Sequence, residues 1–169
     1  MAPIRSFEIP TVMKHGLGAI ALLADEARAL GMTRPLLVTD PGIVKAGLLP
    51  RATASLKASN LDFAVFDKVA PNPPIALVDE GAQVYRSEKC DGVIGFGGGS
   101  SMDTAKSIGV VANNGGSILG YEWVDPQPIR HRIPPTICVP TTAGTGSEVT
   151  LWAVITDPAR KIKFNVGGT

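Results

Sequence analysis

The chain has 169 residues, a hydrophobic fraction of 44%, a charged fraction of 18% and a formal net charge of +1. That length holds one sizeable core, and the composition is that of a folded globular protein rather than a disordered one. Near-neutral charge gives no electrostatic basis for a nucleic acid or membrane-surface partner, and no run reaches the ~18 apolar residues of a membrane-spanning helix.

The opening MAPIRSFEIP lacks the apolar stretch of a secretory leader, so the expected location is the cytoplasm. SFEIPTVMKHG predicts a strand, with Pro10 better suited to a sheet edge than a centre. Residues 18–31 carry apolar side chains at helical spacing and end on Gly31, a good C-terminal cap. PLLVTD, residues 35–40, is a continuous apolar run of the kind covered on both faces of a parallel sheet. Residues 43–58 predict a helix, LDFAVFD a strand, and PPIALVDEGAQVYRSEKC a helix that starts on prolines. DGVIGF then predicts a strand, SSMDTAKSIGVVANN a helix and PTICVPTT a strand, with the proline-rich residues 121–135 as a surface loop. Strands alternating with helices predict an α/β fold, a doubly wound, mostly parallel, Rossmann-like sheet. ITDPARKIKFNV predicts two short strands joined at Asp157-Pro158, a pair of the kind that usually packs on something; no closing helix follows, as though the architecture were cut short. Cys90 and Cys138 lie far apart without CxxC spacing, which predicts two reduced, mostly buried thiols rather than metal ligands.

The junction GFGGGSSMD places three glycines between a strand ending near Phe96 and a helix starting near Ser101. Gly97, Gly98 and Gly99 leave main-chain N–H groups open to an anion, and the helix start adds unpaired donors and a positive dipole end. Ser100 suits the N-cap, with Asp103 three residues on to answer the cap's own N–H. The competing reading is a tight glycine turn before an ordinary capped helix. G-x-G-x-x-G fails here because its last position is Ser100, and there is no G-x-x-x-x-G-K-[ST], which disfavours a P-loop ATPase. If the ligand is a dinucleotide, the ribose-sensing acid lies upstream, and Asp40 at the end of LLVTD is the candidate, favouring NAD over NADP. Its alternative role is a turn residue before Pro41-Gly42. PTTAGTGSEVT, residues 140–150, adds the hydroxyls of Thr141, Thr142, Thr145, Ser147 and Thr150 directly after another strand. Both clusters fall at the strand carboxyl ends where open parallel sheets bind ligands.

GFGGGSSMDTAKSIGV together with PTTAGTGSEVT resembles the iron-containing alcohol dehydrogenase family, the group that includes lactaldehyde reductase, propanediol dehydrogenase and maleylacetate reductase. The "TD" at residues 39–40 and "PNP" at 71–73 extend the resemblance along the chain. It implies an NAD-dependent alcohol or aldehyde oxidoreductase, with residues 1–169 as its dinucleotide-binding domain and the family's helical metal-binding domain missing. It also implies that Asp40 reads the adenosine ribose, and that Gly97, Gly98, Gly99 and Ser100 hold the pyrophosphate, with Asp103 beside them. Thr141, Thr142 and Thr145 would line the groove, Val154 and Lys163 would continue its wall, and Asn72 would stand near the nicotinamide end.

The family's metal ligands are one aspartate and three histidines of the helical domain, whereas this chain has two histidines and no H-x-x-x-H. His15 reads as a capping or surface residue and His131, in IRHR, as a solvated loop residue. No catalytic or metal residue is therefore expected here. A divalent metal, iron or zinc, is expected only in a full-length parent, and the chain alone is expected to bind nucleotide without turnover. Expected partners are a small alcohol or aldehyde and further copies of the chain, with no nucleic acid and no membrane. The alternatives are a free-standing non-catalytic nucleotide-binding module and a glycerol dehydrogenase or dehydroquinate synthase-like domain; the PTTAGTGSEVT wording argues against the last two. Glu148 is expected to make a structural hydrogen bond, Lys106 to pair with Asp103 on the helix surface, and Trp123 and Trp152 to pack.

Overall fold

Leucine and β-branched residues build the centre of the sheet. In the computed structural model, which describes residues 11–167, β1 (Pro35–Val38) and β3 (Gly92–Gly97) are buried along their whole length. They run parallel, with Leu36 opposite Val93 and Leu37 opposite Ile94. β2 (Ala64–Phe66) flanks β1 and β4 (Thr136–Pro140) flanks β3, giving a four-stranded parallel sheet in the order β2-β1-β3-β4. Successive strand residues face opposite ways, and each face has its own core. Leu37, Ile94 and Phe96 pack with α1 (Leu23–Ala29) and α3 (Leu49–Ala58). Leu36, Val38 and Val93 pack with α4 (Ile75–Ser87) and α5 (Gly99–Asn114). The expected doubly wound α/β fold is the observed one. Among the described residues no helix is long and apolar enough to cross a membrane.

Several element boundaries differ from expectation, each for a local reason. Of the stretch SFEIPTVMKHG, in which an opening strand is expected, residues 6–10 lie outside the described residues, and residues 11–15 have no regular structure. The helix ending at Gly31 begins as a 3₁₀ turn, Ala19–Leu22, and closes when Met32 N–H donates to Ala27 O and left-handed Gly31 N–H to Arg28 O. The helix expected over 43–58 is two: α2 (Pro41–Lys45) ends in the same paired cap at Gly47, φ +69°, and α3 restarts with Pro50 in its first turn. The strand expected from Leu61 starts at Ala64, because Leu61 N–H donates to Leu56 O in the cap of α3 and its side chain is buried there.

The last two strands, β5 (Ala153–Asp157) and β6 (Ile162–Val166), form the expected antiparallel hairpin. Ala153, Ile155, Phe164 and Val166 bury one of its faces in the core of α4 and α5. Thr156 N–H donates to Pro73 O, which ties the hairpin to the loop before α4.

At the opposite end of the sheet, Asp91 clamps the starts of β1 and β3. Its carboxylate accepts Thr33 N–H at 2.7 Å, Thr33 Oγ1 at 2.5 Å and Arg34 N–H at 2.9 Å. Partial burial alone would raise its pKa, but those donors outweigh burial and hold the carboxyl below the ordinary aspartate value. A depressed folded-state pKa stabilises the protein above the unfolded value of ~3.9 and ceases to do so as pH falls through the folded one. Asp91→Ala is therefore expected to lower Tm by roughly 3–6 °C at pH 7 and by less at an acid pH below the folded-state pKa. Melting curves at both pH values check this, and an equal drop at each would contradict it.

Candidate functional site

The strand order places a topological switch between β1 and β3, since the chain leaves β1 toward β2 on one side and returns to β3 on the other. Asp40 and the glycine turn both stand at the carboxyl side of that switch. Asp40 caps α2, its Oδ1 accepting Ile43 N–H at 3.0 Å. Its Oδ2 accepts Ser101 Oγ at 3.1 Å, joining the end of β1 to the first turn of α5. Each carboxylate oxygen keeps a further lone pair for another donor. The turn reading of Asp40 thus holds as a helix cap, and it leaves the acid able to accept.

The start of α5 differs from the expectation. Gly98 occupies the N-cap in extended conformation, φ −78° and ψ −172°, with no side-chain capping bond; Ser100 already lies inside the helix. A glycine cap without a side-chain acceptor leaves the N–H groups of Gly99 and Ser100 with no partner inside the helix. Asp103 does not return to the cap. It is 8% exposed and turns sideways, accepting Ser147 Oγ–H on Oδ1 and Val154 N–H on Oδ2 at 3.0 Å. Lys106 pairs with it at 3.2 Å, but not on the helix surface: the two side chains are 13% and 11% exposed. Its ammonium donates to Ser147 O at 2.9 Å, to Thr150 O at 3.4 Å and to Trp152 O.

The threonine loop approaches the glycine turn closely. Thr141 N–H donates to Gly97 O at 2.9 Å. A Cβ placed on Gly98 would lie 3.3 Å from Thr142 Oγ1, and one on Gly99 would lie 3.0 Å from Thr145 Cγ2. Gly97 has φ +152°, and a Cβ there would lie 2.5 Å from Ser101 Oγ and 3.0 Å from Asp40 Oδ2, so the Asp40–Ser101 bond requires a glycine at this position.

Beside this junction opens a cleft of about 380 Å³ lined by α5, the threonine loop and the hairpin. Seven of the candidate residues line it: Asn72, Gly99, Ser100, Asp103, Thr145, Val154 and Lys163. Asp40, Gly97, Gly98, Thr141 and Thr142 do not line it and cluster instead around the start of α5. Asn72 takes a left-handed backbone, φ +54°, between two prolines, a conformation that asparagine tolerates better than most residues.

Sequence reasoning missed several contributors. Ser101, Pro73, Trp152 and Thr156 escaped it, and Lys106 was placed on the wrong side of its helix. The second serine of GGGSS was the available signal for Ser101. Trp152 packs as expected, edge-on to Trp123 with ring centroids 4.5 Å apart, and it also borders the cleft. Glu148 departs from expectation: its Oε2 is buried without a hydrogen-bond partner among the described residues. Burial pushes the Cys138 thiol of β4 upward, and the Cys90 thiol to about 11, so both are neutral near pH ~7. His15 and His131 are both exposed.

The family model described as "Iron-containing alcohol dehydrogenase" matches residues 10–169. A choline dehydrogenase of Bacillus subtilis is 56% identical over 169 residues, covering 99% of this chain and 42% of that protein. An NAD-dependent methanol dehydrogenase of Bacillus methanolicus is 41% identical over 95% of this chain and 42% of its own length. A solved sulfoacetaldehyde reductase from Bifidobacterium kashiwanohense, in complex with NAD+, superposes with a TM-score of 0.88 at 30% identity, over 99% of this chain and 44% of that one. The chain spans about two fifths of the length of these relatives.

Proposed function

The chain belongs to the iron-containing alcohol dehydrogenase family, and from that premise we propose that residues 1–169 form the NAD-binding domain of an oxidoreductase acting on a small alcohol or aldehyde. The observation that carries this reading is the start of α5, where a glycine cap leaves Gly99 and Ser100 without helix partners for their N–H groups, and both residues line a cleft rich in hydroxyls. Side chains that would fill the space in front of those groups are absent at Gly97, Gly98 and Gly99, which is the cradle a diphosphate needs. NAD bound there would supply hydride transfer; the protein supplies placement.

Each residue then has a task. Asp40, held by Ile43 N–H and Ser101 Oγ–H, accepts the ribose hydroxyls and repels a 2′-phosphate. Gly98, Gly99 and Ser100 donate main-chain N–H groups to the pyrophosphate, with Thr142 and Thr145 as hydroxyl donors across from them. Asn72, Val154 and Lys163 form the far wall, along which the nicotinamide half lies. For the metal named by the family the fit is different. Among the described residues no three His, Cys, Asp or Glu side chains converge to hold an ion. Nucleotide placement is the role we assign to these residues.

The test is a titration read by energy transfer from Trp152, which borders the cleft, to the reduced nicotinamide. NADH is expected to bind at least ~10-fold tighter than NADPH, since like charges near a protein surface cost about 1–4 kcal/mol at contact distance. Asp40→Asn keeps a side chain suited to capping α2 and removes the charge, and it is expected to bring the two coenzymes within about 3-fold of each other. Equal affinities in the unsubstituted chain would remove Asp40 from the site, and no NADH uptake at all would overturn the coenzyme reading.

A further inference from the structure

The threonine loop has no regular structure between β4 and β5, and Gly144 and Gly146 within it have φ of +127° and +65°. Local bonds such as Val149 N–H to Gly146 O shape the loop but do not say where it sits against the rest of the protein. Two side chains of α5 do. Asp103 takes Ser147 Oγ–H and Val154 N–H, and Lys106 takes the carbonyls of Ser147, Thr150 and Trp152, from 41 to 51 residues away in sequence. Four of the residues so held, Ser147, Thr150, Trp152 and Val154, line the cleft. The same turns of helix also carry an electrostatic problem. Among the described residues Asp103 is the only acidic one lining the cleft, and it follows closely on the helix start assigned to a diphosphate. Uncompensated, its charge would oppose the anion that the N–H groups attract.

We infer that Lys106 is a positioning residue of the coenzyme site: it anchors the threonine loop and the start of β5 to α5, and it cancels the Asp103 charge beside the diphosphate seat. This rests on the coenzyme reading above. Lys106 need not touch the coenzyme. Its ammonium, nearly buried among one carboxylate and three carbonyls, is spent on the protein. The side chain therefore acts through Asp103 and the loop.

The two roles separate experimentally. Lys106→Met keeps the length and apolar stem while removing the charge, and is expected to weaken NADH binding at least ~10-fold, measured well below its melting temperature. It should also speed hydrogen exchange at the amides of residues 147–154 in the ligand-free protein. Adding Asp103→Asn is expected to recover at least half of the lost affinity on a logarithmic scale, because no unpaired carboxylate then faces the anion, while loop exchange stays fast. A residue with only a packing role would give a double variant no better than Lys106→Met. If Lys106→Met alone does not fold, the double variant, free of the buried unpaired charge, carries the test against Asp103→Asn, and is expected to show the faster loop exchange. NADH uptake by the unsubstituted chain that persists within about 2-fold in Lys106→Met overturns this inference alone. Loop exchange unchanged by loss of Lys106 also overturns it. No uptake by the unsubstituted chain overturns the coenzyme reading, and this inference falls with it.

Discussion

Gly98→Leu is expected to weaken NADH binding at least ~100-fold while leaving the protein folded. The backbone at Gly98 is extended, φ −78° and ψ −172°, a conformation open to any L-residue, so the substitution introduces no main-chain strain. An added Cβ would meet only Thr142 Oγ1, at 3.3 Å, the end of an exposed side chain that can give by a few tenths of an ångström. The rest of a leucine side chain must occupy the space in front of the α5 N–H groups or crowd the threonine loop. Hydrogen bonds to a charged group contribute about 1.5–3 kcal/mol each, so losing two removes roughly 3 kcal/mol or more, a factor of over ~100. Gly98→Ala should fall between the two, which makes the series graded. The measurement is the same energy-transfer titration, with a melting curve to verify folding. A leucine variant that melts like the parent and binds NADH equally well would show that the diphosphate seat is elsewhere.

Gly95→Ala is expected to cost about 3 kcal/mol of stability or more, which for a chain of this size is a fall in Tm of roughly 6–12 °C. The reason is close packing between β3 and the helix that follows it. A Cβ at Gly95 would lie 2.9 Å from Met102 Cα, 3.1 Å from Ala105 Cβ and 3.4 Å from Ser101 O. None of these is the free end of a flexible side chain, so α5 must move off the sheet. Such a shift carries Ser101 away from Asp40 and the N–H groups away from the cleft. A loss of NADH affinity is therefore expected to accompany the loss of stability, even far below Tm. Thermal melting and titration of the same sample check both. A variant that melts within about 2 °C of the parent would mean that α5 is not held where the packing puts it.

Much of this candidate site is legible in the sequence itself. The glycine junction, Asp40 and the threonine loop stand in the sequence as residue types whose uses are local: bare amides, an acid at a strand end, hydroxyls after a strand. All three meet at one end of the sheet because parallel strands bring their carboxyl ends together. The capping serine was misassigned because Ser100 and Gly98 both make acceptable caps, and only the point where β3 stops pairing with β4, at Gly97, decides between them. Gly47 was legible in principle, as a glycine followed within three residues by Pro50, the punctuation of one helix ending and another beginning.

The repeated change between strand-like and helix-like apolar spacing was enough to imply the doubly wound sheet, because those periodicities record which neighbours in sequence face the same core. The partners of Asp103, Lys106 and Ser101 leave no such record, lying 41 to 61 residues away. A lysine three residues after an aspartate looks like an exposed helix pair in any local window, and only the docking of the loop and β5 onto α5 turns it inward. The far wall of the cleft, with Trp152, Val154, Thr156 and Lys163, likewise exists only because Ile155 and Phe164 bury the hairpin against that helix. Short-range chemistry chose the elements and their ligand-ready ends; apolar burial between distant segments chose which side chains would share a cavity.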